Sequence, residues 1–111
     1  MSNSSGAGPI EDVLMPGGKP IGVKGTGKRA SARLREVPGG ATEAERLFRA
    51  LTQGGKDITP AGYPGTLIEL PNGRGTVGYR PASKSGAPTI DVNAVDASGR
   101  QIPVEKIKFV E

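Results

Sequence analysis

The chain contains no cysteine and no histidine. The first absence removes disulfides, thiolate metal sites and a cysteine nucleophile. The second removes Ser-His-Asp chemistry, histidine-ligated zinc hydrolases and deaminases, and the usual general base at neutral pH. Tryptophan is missing too, and aromatics make up only 4% of 111 residues, so the core of this single small domain must be thin. No apolar run approaches the length of a membrane span, and no signal peptide is visible. The expectation is a chain that works in water, or is delivered there as part of something longer.

Glycine and proline are plentiful, at 18 and 10 residues. They cluster near the N-terminus and then punctuate short apolar runs, as turns between strands do. The formal charge is +4, and six basic residues with no acidic one lie between Lys19 and Arg35. Residues 1–28 are expected to form a flexible basic leader, because Ser, Gly and Pro bury too little to offset ordering entropy. Ile10, Val13 and Leu14 are its one docking point. The glycines from Gly18 to Lys28 do not make a P-loop, since Arg29 stands where Ser or Thr is required after Gly27-Lys28.

Residues 29–111 form the expected domain. Arg33–Val37 reads as a short strand, with Leu34 on one side and Arg33 and Arg35 on the other. Thr42-Glu43-Ala44-Glu45 fits a capping box, followed by Ala44, Leu47, Phe48 and Leu51 on one helical face and a Gly54-Gly55 stop. This predicts a helix over 43–53. Strands follow at 66–70, 75–80, 89–93 and 106–110, with turns at Pro71-Asn72-Gly73 and Asp96–Gly99. The expected fold class is α+β, one main helix packed on a small antiparallel meander.

The meander has two faces. Val77, Tyr79, Ile90, Val92, Ile107 and Phe109 share one parity and are expected to meet the helix. The other parity carries Thr76, Arg80, Thr89, Asp91, Asn93, Lys106 and Lys108. That face is either an ordinary solvated surface or a shallow site for an anionic ligand, fed by the loop that contains Lys84.

The chemistry open to such a face is narrow. The acidic residues are scattered, so neither a metal nor another cofactor is expected. Ser83-Lys84-Ser85 lies in a Gly/Pro-rich loop where Lys84 stays solvated and charged, which disfavours Ser-Lys catalysis. RNA cleavage by the substrate's own 2′-hydroxyl asks less of the protein. It needs only groups that hold the phosphate, orient the hydroxyl and neutralise developing charge, tasks suited to Arg, Lys, Ser and Thr.

The strings Leu34-Arg35-Glu36-Val37-Pro38-Gly39-Gly40, Leu70-Pro71-Asn72-Gly73 and Tyr79-Arg80-Pro81-Ala82-Ser83-Lys84-Ser85-Gly86-Ala87-Pro88-Thr89-Ile90-Asp91-Val92, with the Thr-Glu-Ala-Glu-Arg-Leu-Phe helix, carry a resemblance. Over about residues 33–110 the chain resembles the C-terminal toxin domains of bacterial polymorphic toxins, including contact-dependent growth inhibition and Rhs-type proteins. Many of these are ribonucleases of the barnase–EndoU–colicin–RelE group, small helix-plus-sheet domains that often attack tRNA. The resemblance implies a site at Arg80, Ser83, Ser85 and Thr89, delivery from a bacterial cell as the end of a larger protein, action in the target-cell cytoplasm, and a cognate immunity protein as partner. Active-site histidines of the group have no counterpart here.

The resulting expectation is a metal-independent endoribonuclease. Arg80 and Lys84 would bind the scissile phosphate, and Ser83, Ser85 and Thr89 would orient it or the ribose. Asp91 would position a cation or accept a proton, while Arg35, Lys106 and Lys108 hold the flanking backbone. The alternative is a non-enzymatic basic module that binds RNA or an acidic protein. ADP-ribosyl transfer is disfavoured, since no Arg, Ser-Thr-Ser and paired-Glu arrangement is evident.

Overall fold

The structure is a computed structural model and describes residues 10–25, 33–81, 87–96 and 98–110. Two helices, α1 (Ile10–Leu14) and α2 (Gly40–Leu51), accompany strands β1 (Val23–Lys24), β2 (Leu34–Pro38), β3 (Lys56–Asp57), β4 (Thr66–Glu69), β5 (Gly75–Arg80), β6 (Thr89–Ala94) and β7 (Lys106–Val110). The strands form one sheet in the order β1-β2-β7-β6-β5-β4-β3. The class is α+β, and α2 packs on the β5–β6–β7 centre.

Alternation in the central strands determines which face meets the helix. Val77 pairs with Val92, and Ile90 lies between Tyr79 and Ile107, all of them buried. Ala44, Leu47 and Leu51 of α2 close over this row, and Phe48 sets its ring 5.5 Å from that of Tyr79. The β4–β5 hairpin turns as its Asn-Gly pair dictates: Asn72 and Gly73 take φ of 63° and 68°, the mirror-image turn that matches strand twist.

Three expectations are corrected. The sheet is not wholly an antiparallel meander, because β2 joins the outer edge of β7 in parallel, with Val37 opposite Phe109. Helix α2 starts at Gly40 with Gly39 as its N-cap and no side-chain cap. The chain leaves β2 straight into the helix, and the Gly39 N–H still donates to the Val110 carbonyl at 2.9 Å, so Thr42 falls inside the first turn. Glu43 there pairs with Arg46 one turn on instead of closing a capping box.

The described part of the first 28 residues, Ile10–Gly25, lies on the domain. Leu14 is fully buried in the common core with Ile10, β1 pairs antiparallel with β2, and the Ile21 N–H donates to the Leu14 carbonyl at 2.9 Å. A thin core gains apolar area from this segment. Outside the strands, Ile102 and Val104 also fill it.

Leu14→Ala is expected to cost about 2–5 kcal/mol of unfolding free energy, against less than about 0.5 for Val23→Ala on the exposed edge. Urea denaturation of the two variants checks this. Asp57 and Asp96 accept hydrogen bonds from Thr59 and Ser98 respectively, which hold both carboxyls below their ordinary range. These loop clamps should be intact above about pH 4 and be lost as pH falls through the depressed folded values. Carboxyl ¹³C titration should give midpoints for both below those of the unfolded chain.

Candidate functional site

The register that buries the apolar row places two rows that carry the charged residues on the opposite face. One runs Gly78, Asp91, Lys106 and Leu34 across β5, β6, β7 and β2. The next runs Arg80, Thr89, Lys108 and Glu36. Among the described residues both helices lie on the other side of the sheet, so no helix covers this face.

Asp91 is the centre of the arrangement. Arg80 reaches it diagonally, with Nε donating to Oδ2 at 2.8 Å and Nη2 to Oδ1 at 3.2 Å. Lys106, directly opposite on β7, holds its Nζ 3.9 Å from Oδ1. Arg80 and Asp91 are 23% and 35% exposed, so the fork has partial shielding from water but remains reachable. Pairs of this exposure add little stability, about 1 kcal/mol or less, and their main effect is to fix the guanidinium plane.

Tyr63 completes the cluster. It ends a turn in which its N–H donates to the Pro60 carbonyl at 3.1 Å, with Gly62 at φ 83° supplying the positive-φ position of a type II turn. The turn lays the Tyr63 ring across β5, and its hydroxyl occupies the space where a side chain at position 78 would stand. Any Cβ there would collide with that oxygen. Since Gly78 is the register partner of Asp91, the phenol lies about one strand spacing from the carboxylate. Burial, and secondarily the Asp91 charge, push the Tyr63 phenol above its ordinary pKa, while Arg80 pulls it down. The phenol is therefore a neutral donor at physiological pH. Sequence reasoning passed over Tyr63, although a glycine inside a strand was the available signal, since it marks close approach of another group.

The structure gathers Arg80, Asp91 and Lys106, with Lys108 in the adjacent row. A shallow depression lined by Gly25, Leu34, Arg35, Glu36, Lys106 and Lys108 continues toward β2. Two expected site residues are placed elsewhere. Thr89 has the outward parity yet is fully buried, with its hydroxyl donating to the Ala87 carbonyl at 3.2 Å. It stiffens the floor between Arg80 and Lys108 and does not present its hydroxyl on the face. Arg35 opposes Ile107 and so lies on the helix side of the sheet, where its Nε donates to the Ile21 carbonyl at 2.9 Å and Nη2 to that of Gly22 at 3.1 Å. It fastens the N-terminal segment. Ser83, Lys84 and Ser85 lie outside the described residues. No three acidic side chains come together to hold a metal ion among the described residues.

Fold and face together define a small α+β domain with a helix-covered side and an open side built around a carboxylate flanked by cations. Compared with protein-family models, curated proteins and solved structures, the chain finds no match in any of the three. No helix among the described residues is long and apolar enough to cross a membrane.

Asp91→Asn should lower the pKa of the Tyr63 phenol, because it removes the negative charge that helps to raise it while Arg80 stays. Ultraviolet-monitored alkaline titration in a Tyr79→Phe background, where Tyr63 is the only tyrosine left, reads this directly. Burial should keep the midpoint above that of free tyrosine.

Proposed function

We propose that the open sheet face is the RNA-cleaving surface of a bacterial toxin domain, a metal-independent endoribonuclease acting foremost on tRNA by 2′-hydroxyl transesterification. The observation that supports this reading is the convergence of Arg80 and Lys106 on Asp91, with Lys108 in the adjacent row of the same face. Cleavage through the substrate's own hydroxyl needs a held phosphate and compensation for charge on its oxygens, and it needs no histidine.

In this reading Lys106 and Lys108, two residues apart on one strand, contact successive phosphates or two oxygens of one. Arg80 keeps one edge of its guanidinium on Asp91 and offers the remaining N–H groups to the scissile phosphate. Asp91 orients both cations and stands beside the position of the 2′-hydroxyl as proton acceptor. The resemblance to polymorphic toxin domains adds the rest. The domain would be delivered as the C-terminal part of a larger protein, act in the target-cell cytoplasm and be neutralised by an immunity protein presenting acidic groups to this face.

A second reading is a non-enzymatic basic module that binds RNA or an acidic protein. It is favoured by the engagement of Arg80 with Asp91 and by the burial of Thr89, which leave fewer groups for chemistry than the sequence promised.

The purified domain should degrade tRNA in EDTA and leave 2′,3′-cyclic phosphate ends. Arg80→Ala should lower the rate by about 10²–10³-fold. Lys108→Ala should mainly weaken binding and flatten its salt dependence by about one unit of slope. Intact RNA at high protein concentration, with binding that falls steeply with salt, would select the second reading.

A further inference from the structure

We infer that Tyr63 is the proton donor to the leaving 5′-oxygen in this reaction, with Gly78 kept small to seat its hydroxyl. The inference rests on the RNA-cleaving reading of the face and deepens it. Three observations converge. The Tyr63 hydroxyl lies over Gly78, in the space that any other residue's Cβ would fill. Gly78 is paired with Asp91, so the phenol oxygen sits over the strand position next to the residue that holds the Arg80 fork. The turn that delivers Tyr63 is closed by its own backbone bond to Pro60, and Leu67 flanks the same space over Gly78.

The remaining groups on this face suit other tasks. Arg80, Lys106 and Lys108 are cations that bind phosphate, and Asp91 is an acceptor while ionised. The phenol is the neutral O–H donor within this group, since a phenol keeps its proton at neutral pH. The step balances. The 2′-oxygen attacks phosphorus as its proton passes to the Asp91 carboxylate. The bond from phosphorus to the 5′-oxygen breaks, and its electron pair stays on that oxygen, which takes the Tyr63 proton. Asp91 then returns a proton to the phenolate, so both groups end as they began.

The discriminating experiment compares two substrates with the intact chain. One is an RNA oligonucleotide, whose alkoxide leaving group needs a proton. The other is uridine 3′-(4-nitrophenyl phosphate), whose nitrophenolate leaves without one. Tyr63→Phe is expected to lower kcat on RNA by about 10²–10⁴-fold with KM little changed, and to cleave the nitrophenyl ester at nearly the wild-type rate. Gly78→Ala, which retains the phenol but displaces its hydroxyl, should show the same selective loss, with melting curves confirming that both variants fold. Equal losses on both substrates would mean that Tyr63 only shapes the site, and undiminished RNA cleavage by Tyr63→Phe would mean that it is not used; either overturns the inference while the RNA-cleaving reading stands. A wild-type chain that cleaves neither substrate removes that reading and the inference together.

Discussion

Side chains alternate across a strand, so the pairing of Val77 with Val92, and of Ile90 with both Tyr79 and Ile107, sets two surfaces at once. On one side it makes the apolar floor beneath α2. On the other it aligns Gly78 with Asp91 and Lys106, and Arg80 with Thr89 and Lys108. A slip of one residue would carry Asp91 and the cations into the core and expose the apolar row, at a cost no small domain can absorb. The core therefore enforces the geometry of the open face.

Within that face the electrostatics are asymmetric. A carboxylate lies between a guanidinium and an ammonium, and it offsets the mutual repulsion of the two cations. Their average exposure leaves the cluster reachable by a polyanion, which can share the cations without a large desolvation cost. Tyr63 differs from its neighbours because it comes from a loop and not from the sheet. It reaches the cluster because Gly78 leaves space for it. The face is thus a rigid charged floor to which one loop adds a neutral hydroxyl.

The helix side is completed from the N-terminal direction. Leu14 fills a core that 34% apolar composition leaves thin, and Arg35 fastens the carbonyls of Ile21 and Gly22 over it. With β2 added in parallel to β7, the segment before α2 and the last strand of the chain are tied together. Removing either would open one edge of the sheet and uncover part of the core behind the candidate site.

Local signals sufficed for the helix stripe, for the Asn72-Gly73 turn and for the two-faced pattern of β5, β6 and β7, because each depends on residues close together in the chain. Period-2 alternation also assigned Arg80, Asp91, Lys106 and Lys108 to one face before any strand was paired. What alternation could not supply was the partner of each strand. Parallel addition of β2 to β7 joins segments some seventy residues apart, and it moved Arg35 to the far side of the sheet. Parity likewise marked Thr89 as outward without showing that its neighbours bury it. Tyr63 reaches the Gly78 position, the register partner of Asp91, through a loop folded over β5, a placement that no spacing in the sequence encodes. Local chemistry and periodicity determined the faces and most of their charges; the long-range pairing of strands and the fold of one loop decided which of those charges meet.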